Sequence, residues 1–150
     1  MKKIYLASPF FTDKERKFKK RIKKKLETCG YDVIDPQGGG EPRSWEESNP
    51  EWGARIFDKD INLINKADYL IAVDWGLYSD TGTAFEVGYA FSEGKEIIVI
   101  VPDEVLSEKH SLMIANSTNT FICESRFFDY ANDLDNLLGL RFYLNGITQQ

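Results

Sequence analysis

Five short apolar segments alternate with longer segments of helical periodicity, and this alternation constrains the fold more than any other feature of the sequence. Strands that alternate with helices pair in parallel, because each helix carries the chain back to the same edge of the sheet. We therefore predict a single α/β domain over residues 1–150, a flavodoxin-like or Rossmann-like, doubly wound, five-stranded parallel sheet with helices on both faces. The predicted strands are Lys3–Ala7, residues 31–34, Tyr69–Val73, Glu96–Val101 and Thr120–Cys123.

Helix start and stop signals occupy the segments between these strands. Thr12 and Glu15 have the spacing of a capping box, and Gly30 is typical of a helix end. Asn49 is predicted to cap a second helix that has Pro50 at its first position. The further predicted helices are residues 50–66, residues 84–93, a short helix within residues 103–116, and residues 129–140.

The first helix combines an apolar stripe with a strongly basic face. Phe18, Ile22 and Leu26 recur at helical spacing and are expected in the core. A phosphate-binding patch is one interpretation of the basic face, but a solvated helix surface is the more common use of such a charge run. The basic residues are Lys19, Lys20, Arg21, Lys23, Lys24 and Lys25.

The segment D-T-G-T-A-F-E-V-G-Y-A at residues 80–90 begins a helix just beyond the carboxyl end of a strand. Ligands of open α/β sheets bind at that edge. Glu86 is expected in the first turn or so, where the helix dipole holds a carboxylate ionised, as attack on a sugar anomeric carbon requires. Thr83 and Glu86 also fit a capping box, in which Glu86 only satisfies a backbone N–H, and the spacing alone favours this cap.

Further acidic and aromatic side chains are expected at the same edge. Asp60 lies on the apolar stripe of the second helix, where an acid is costly unless it is paired or bonded. Each residue also has a structural alternative to a role in catalysis. Asp60 could lie at the edge of the apolar stripe, Asp80 could occupy a turn or a helix cap, and the aromatic rings could belong to the core. Carboxylates suit glycosidic chemistry, and aromatic rings suit a flat base or sugar face. The residues at this edge are Tyr5, Phe10, Phe11, Gln37, Trp52, Asp60, Asp80 and Glu86.

Composition limits the partners and the compartment. A net charge of −5 argues against general nucleic-acid binding, and no apolar run approaches the ~20 residues that span a bilayer. The N-terminus enters a strand directly, unlike a signal peptide. Cys29 and Cys123 are far apart, as is typical of free thiols in a reducing compartment, and the lone His110 excludes a multi-histidine metal site and is expected on the surface. We predict a cytoplasmic protein with no membrane or nucleic-acid partner.

Three motifs resemble those of the nucleoside 2-deoxyribosyltransferase family. The first is K-I-Y-L-A-S-P-F-F at residues 3–11, and the second is D-x-x-x-I-x-x-A-D, which begins at Asp60. The third, D-T-G-T-A-F-E-V-G-Y-A-F-S-E-G-K, begins at Asp80 and is the most specific of the three. A weaker match, S-L-M, lies at residues 111–113, and the resemblance extends to about Ile122.

The resemblance implies an exchange of nucleobases on a 2′-deoxynucleoside. It implies that Glu86 attacks C1′ of the deoxyribose and forms a covalent deoxyribosyl-enzyme, while the Tyr5 hydroxyl hydrogen-bonds to that glutamate. Asp60 and Asp80 match acids around the nucleobase, where one protonates the leaving ring nitrogen and later helps to deprotonate the incoming base. The mechanism is that of a retaining glycosidase in which a second nucleobase replaces water.

The resemblance also implies a substrate pocket and an assembly. The substrates are a small-molecule deoxynucleoside and a free nucleobase, and no metal or organic cofactor is implied. The chain is expected to form a homo-oligomer, a dimer or a hexamer, with active sites shared across subunits. The matched binding residues are Phe10, Phe11, Gln37, Trp52, Gly82, Ser111 and Met113.

Two alternative functions stay open on the sequence. Many transferases of the family carry Asn at the position of Ser111, whereas the related 2′-deoxynucleoside 5′-monophosphate N-glycosidases, which are hydrolases, carry Ser there. Those hydrolases have another Ser at the position of Asp80, and a carboxylate there would repel a 5′-phosphate, which favours the transferase. The second alternative is a non-catalytic nucleotide-sensing module of the same fold.

Overall fold

The computed structural model describes residues 1–36, 42–77 and 80–138, and within these ranges five strands form one sheet. None of the helices in these ranges has the length and apolar character needed to cross a membrane. The strands are β1 (Lys3–Ala7), β2 (Asp32–Ile34), β3 (Tyr69–Val73), β4 (Glu96–Val101) and β5 (Thr120–Cys123). The helices are α1 (Asp13–Thr28), α2 (Asn49–Lys66), α3 (Thr81–Ser92), α4 (Leu112–Asn116), α5 (Glu124–Tyr130) and α6 (Leu134–Leu137), with a 3₁₀ turn at Asp103–Val105.

The sheet is parallel throughout and has the strand order β2-β1-β3-β4-β5. The order reverses at the centre: the chain leaves β1 for β2 on one side and leaves β3 for β4 on the other. In doubly wound sheets the loops diverge at such a point and leave a crevice outside the carboxyl ends of the strands. The predicted flavodoxin-like α/β fold is confirmed.

Alternate residues of each strand contribute to two separate cores, one on each face of the sheet. Ile4 and Leu6 of β1 pack with α1, α5 and α6, whereas Tyr5 and Ala7 pack with α2 and α3. Helices therefore cover both faces, as predicted. Because Tyr5 lies on the α2–α3 face, its ring is buried beneath the two helices that carry the predicted acids.

Two predictions are wrong, one about where a helix is capped and one about the extent of the last helix. Ser48, not Asn49, caps α2, because its hydroxyl accepts from the Glu51 N–H and its own N–H donates to the Glu51 carboxylate at 2.8 Å. The helix predicted at residues 129–140 is replaced by α5 and α6, and residues 139–140 lie outside the described part of the chain. A local cap explains this break, since Asp133 accepts the N–H of Asn136 at 3.2 Å and starts α6 anew.

Candidate active site

Asp80 is the N-cap of α3. Its Oδ2 accepts hydrogen bonds from the Thr83 N–H at 2.9 Å and from the Thr83 hydroxyl at 2.8 Å. The helix therefore begins at Thr81, earlier than predicted, and Glu86 lies in its second turn. The predicted capping box between Thr83 and Glu86 is wrong, because Asp80 already occupies the cap position.

Glu86 instead contacts the central sheet. Its Oε2 accepts a hydrogen bond from the hydroxyl of Tyr5, a residue 81 positions away in the sequence. Tyr5 is fully buried in β1, so its ring is held by the core while its hydroxyl meets the carboxyl group. The structure thus brings together the two residues that the sequence placed on separate motifs.

Burial raises the pKa of Glu86 to about 7. The hydrogen bond from Tyr5 and the positive charge of Lys19 oppose this rise in the pKa, while the negative charges of Asp60 and Asp80 add to it. The expectation that the helix dipole holds Glu86 ionised is wrong, because the dipole acts mainly within the first turn and Glu86 lies beyond it. Near neutral pH, Glu86 is therefore poised between its protonated and ionised forms.

Asp60 lies on α2 with its carboxyl group half-buried. Burial raises the pKa of Asp60, opposed by the neighbouring charge of Lys59, and no residue of the described ranges hydrogen-bonds to this carboxyl. The negative charge of Asp60 acts on both Glu86 and Tyr5. Burial and these acidic neighbours also raise the pKa of Tyr5, so that its hydroxyl stays protonated and donates. Three acids and one phenol therefore share one electrostatic environment.

Lys19 is a site residue that the sequence analysis missed. The charge run predicts Lys19 on a solvated face of α1, but it is buried, with its Nζ 2.5 Å from Asp35 Oδ1 and 5.7 Å from the centre of the Phe10 ring. A signal for this burial exists in the sequence. Lys19 precedes Ile22 by three residues and Leu26 by seven, which puts it on the apolar stripe of the helix.

The predicted pocket aromatics are exposed. Phe10 and Phe11 stack on each other with ring centres 4.9 Å apart, and their exposed fractions are 37% and 65%. Trp52 is also 37% exposed. These three rings are therefore too exposed to be core residues, which was the alternative to a binding role.

Two cavities adjoin Asp80. One, of about 630 Å³, is lined by Phe11, Asp80 and residues of the segment before α4, and the other, of about 570 Å³, brings Ser111 and Met113 near Asp80. Gly82 keeps the Asp80 carboxylate uncrowded, since a Cβ there would lie 3.3 Å from Oδ2. The predicted residue Gln37 lies outside the described part of the chain.

His110 was predicted on the surface, and this prediction is wrong. The side chain is fully buried, and its two ring nitrogens lie within hydrogen-bond distance of the Asp74 carboxylate and the Val105 carbonyl. No local pattern in the sequence signals this burial, because Asp74 is 36 residues away.

The fold and the sequence both have known relatives. The sequence model of the family described as nucleoside 2-deoxyribosyltransferase matches residues 4–124. A nucleoside deoxyribosyltransferase from Lactobacillus leichmannii is 26% identical over 141 residues, which cover 86% of this chain and 88% of that protein. A protein from Thermofilum pendens, provisionally named 2′-deoxynucleoside 5′-phosphate N-hydrolase 1, is 32% identical over 126 residues, which cover 77% of this chain and 78% of the relative.

The comparison of structures agrees with the comparison of sequences. A 2-deoxyribosyltransferase from Bacillus psychrosaccharolyticus superimposes with a TM-score of 0.80 at 29% identity, over 95% of this chain and 99% of that one. The family match covers most of the chain, including residues 4–7 of β1 and the whole of α3. The protein is thus a member of the nucleoside 2-deoxyribosyltransferase family.

Proposed function

We propose that the protein is a nucleoside 2-deoxyribosyltransferase that exchanges the nucleobase of 2′-deoxynucleosides through a covalent intermediate on Glu86. The observation that carries this proposal is the hydrogen bond from Tyr5 to Glu86, made at the carboxyl edge of the sheet beside Asp60 and Asp80. The geometry supports nucleophilic chemistry because the Glu86 carboxyl group does not cap its own helix and instead accepts the hydrogen bond from the Tyr5 hydroxyl.

In the first half-reaction, the ionised Glu86 carboxylate attacks C1′ of the deoxyribose. The N-glycosidic bond breaks, and its electron pair leaves with the nucleobase. Asp60 donates a proton to the departing ring nitrogen, a role that its raised pKa suits. Asp80 is less suited to this proton transfer, because its Oδ2 is already engaged by Thr83.

In the second half-reaction, a ring nitrogen of the incoming base attacks C1′ from the side that the first base left. The bond between the sugar and Glu86 breaks, and the carboxylate regains its electron pair. Asp60 takes the proton from the incoming base, so both catalytic groups return to their starting states. Two inversions at C1′ give net retention, as in retaining glycosidases.

Tyr5 sets the protonation state of the nucleophile. Its hydroxyl stays protonated and lowers the pKa of Glu86 by hydrogen bonding, against the effect of burial. Phe10, Phe11 and Trp52 are proposed to cover the base and sugar. Gly82, Ser111 and Met113 are proposed to line the remainder of the site, next to Asp80.

A hydrolase acting on 2′-deoxynucleoside 5′-monophosphates is the second candidate. The 32% identity to the relative from Thermofilum pendens favours it, as does a serine at position 111. The carboxylate of Asp80 argues against it, because a 5′-phosphate bound near this residue would be repelled. We therefore rank transfer above hydrolysis.

The proposal includes a cytoplasmic homo-oligomer, a dimer or a hexamer, that serves nucleoside salvage and shares active sites between subunits. Exposed apolar rings support the assembly: Phe57 of α2 and Phe85 of α3 are each 52% exposed, and their centres lie 5.8 Å apart. Cys29 and Cys123 are free thiols, and free thiols are typical of proteins in a reducing compartment.

A base-exchange assay tests the proposed function. The protein is incubated with a 2′-deoxynucleoside and a different free base, and chromatography follows the two nucleosides and two bases. The proposal predicts the exchanged deoxynucleoside as a product, with purines and pyrimidines tested as a panel. Release of free base only from a 5′-monophosphate, without exchange, would establish the hydrolase instead.

A further inference from the structure

Asp74 and His110 form a buried pair that the proposed mechanism does not use. His110 Nδ1 lies 3.1 Å from Asp74 Oδ2, and its Nε2 lies 3.0 Å from the Val105 carbonyl oxygen. The other carboxylate oxygen of Asp74 accepts the Gly76 N–H at 2.9 Å. The Phe121 ring packs against the imidazole at an interplanar angle of 78°, with ring centres 5.9 Å apart.

Both ring nitrogens of His110 face acceptors. A neutral imidazole has one N–H and one lone pair, so it would leave one nitrogen opposed to an oxygen without a hydrogen between them. The imidazolium donates to both partners and satisfies both contacts. The charged groups that raise its pKa are Asp74, from the end of β3, and Glu108, from its own segment, and both are negative.

The pair connects two segments that border the proposed substrate site. Asp74 begins the segment that follows β3 and precedes Asp80, the cap of α3. His110 directly precedes Ser111, the N-cap of α4. The two segments approach closely here, since a Cβ on Gly76 would lie 3.5 Å from the Lys109 carbonyl oxygen. Fastening one segment to the other therefore fixes the position of Ser111 relative to Asp80.

We propose that Asp74 and protonated His110 are positioning residues, which hold the Ser111 segment against the Asp80 segment and release it when His110 loses its proton. The role in substrate binding rests on the proposed function, whereas the fastening itself does not. In this account the pair sets the affinity for the deoxynucleoside, and the chemistry remains with Glu86.

The direction of the pH dependence follows from the surroundings of the ring. Burial alone would lower the pKa of His110, but the hydrogen bond and charge of Asp74, with the Val105 carbonyl and Glu108, outweigh it and raise the pKa above the ordinary value. The fastening is therefore complete below the ordinary histidine pKa of about 6.5 and is lost as pH rises through the raised value.

The first test measures the protonation of the ring directly. His110 is the only histidine in the sequence, so a protein prepared without a histidine tag has a single imidazole signal to follow by NMR. We expect an imidazolium at about pH 7, where an ordinary histidine of pKa about 6.5 is mostly neutral. Asp74→Asn, which keeps the size of the side chain, is expected to lower the pKa markedly, and Glu108→Gln to lower it less. A neutral ring at that pH in the wild type would overturn the proposal.

The second test needs no enzymatic activity. Hydrogen-exchange protection of the amides of residues 105–111, corrected for the intrinsic pH dependence of exchange, is compared between wild type and Asp74→Asn. The wild type is expected to lose protection as His110 deprotonates, on the order of tenfold, while Asp74→Asn is weakly protected at every pH. Protection that is equal in the two proteins at every pH would overturn the fastening role.

The third test compares substrate binding and turnover. For the wild type, KM for the deoxynucleoside is expected to rise on the order of tenfold between about pH 6 and about pH 9, beyond any rise seen in Asp74→Asn. Any effect of Glu86 ionisation is common to both proteins and cancels in this comparison. An equal KM profile in the two proteins would overturn the positioning role. A complete lack of exchange would refute the proposed function alone. The first two tests do not need activity, so they would still show whether Asp74 and His110 hold the two segments together.

Discussion

Two clusters of ionisable groups lie at the carboxyl edge of the sheet, and the charges that surround them have opposite effects. Around Glu86 the neighbouring carboxyl groups are like charges, and burial with these neighbours raises its pKa to about 7. Around Asp74 the neighbour is a histidine whose pKa is raised by the hydrogen bond and charge of that carboxylate, and both side chains have hydrogen-bond partners. On the proposed function, the first cluster carries the chemistry, while the second, on our further inference, is an ion pair that positions the Ser111 segment.

Removing the charge of Glu86 should have the largest effect on the reactive cluster. Glu86→Gln keeps the shape of the side chain but cannot form the ester with C1′, so base exchange is expected to fall about 10³-fold or more. Glu93→Gln is the matched control, since Glu93 is an exposed residue at the end of the same helix, and it should exchange bases at the wild-type rate. Comparable activity in Glu86→Gln and the wild type would remove the distinction between the two clusters.

Removing the Tyr5 hydroxyl tests whether its hydrogen bond keeps part of Glu86 ionised near neutral pH. That hydrogen bond lowers the pKa of Glu86, so Tyr5→Phe should raise the pKa and move the acid limb of the pH–rate profile upward by about one unit. Exchange at about pH 6 is then expected to fall on the order of tenfold, with a smaller loss at high pH. Tyr89→Phe, which removes a hydroxyl bonded to Asn65 at 2.9 Å, should leave the limb in place.

Replacing an acid by its amide should change stability in opposite directions in the two clusters. The pKa of Glu86 is raised from 4.5 to about 7 in the folded state, so its contribution to stability is complete below 4.5 and is lost as pH rises through 7. Above about pH 7, Glu86→Gln is therefore expected to be more stable than the wild type, by up to about 3 kcal/mol.

Asp74→Asn should behave in the opposite way. At about pH 6 the substitution removes the partner of a buried cation and is expected to lower the free energy of unfolding by about 1–3 kcal/mol. The loss should shrink as pH rises through the raised pKa of His110. Urea unfolding of the three proteins across pH measures both effects, and a shift of the same sign in both variants would contradict the comparison.

The smallest effect is expected from the glycine beside the cap of α3. A Cβ at position 82 would lie 3.3 Å from Asp80 Oδ2, so Gly82→Ala should displace the carboxylate slightly. We expect base exchange to fall several-fold, while the gain in helix propensity of up to about 1 kcal/mol keeps the protein at least as stable. Steady-state kinetics and thermal unfolding measure the two quantities. Gly53→Ala, where a Cβ on α2 has open space and lines neither cavity, is the control.

The sequence predicts the elements whose signals are local. The apolar runs of β1 and β3 to β5 have the predicted bounds, and the capping box of Thr12 and Glu15 is present. The family motifs also predicted that Tyr5 and Glu86 would meet, and the structure places them in a hydrogen bond. These features depend on spacing along the chain or on a motif, so they can be read without knowing the packing.

The features that the sequence did not predict depend on contacts between distant residues. The burial of His110 depends on Asp74, 36 positions earlier. The position of Lys19 on the apolar stripe of α1 signals its burial, but no local pattern signals that Asp35 is its ion-pair partner. The raised pKa of Glu86 depends on burial and on charged and polar groups from four elements. The position of Glu86 within a helix was therefore not enough to predict its protonation state. At the start of α2, Ser48 and Asn49 are both residue types that cap helices well. Ser48 is the cap because Glu51 lies three residues after it and completes a capping box.

Intact-mass spectrometry of the protein with a 2′-deoxynucleoside and no acceptor base tests the central claim most directly. After an acid quench, the account predicts a species heavier by one deoxyribosyl group, with the added mass on the peptide that contains Glu86. Adding a free base before the quench should remove this species and yield the new nucleoside. An adduct on another residue, or base exchange without any adduct in rapid-quench samples, would contradict the account.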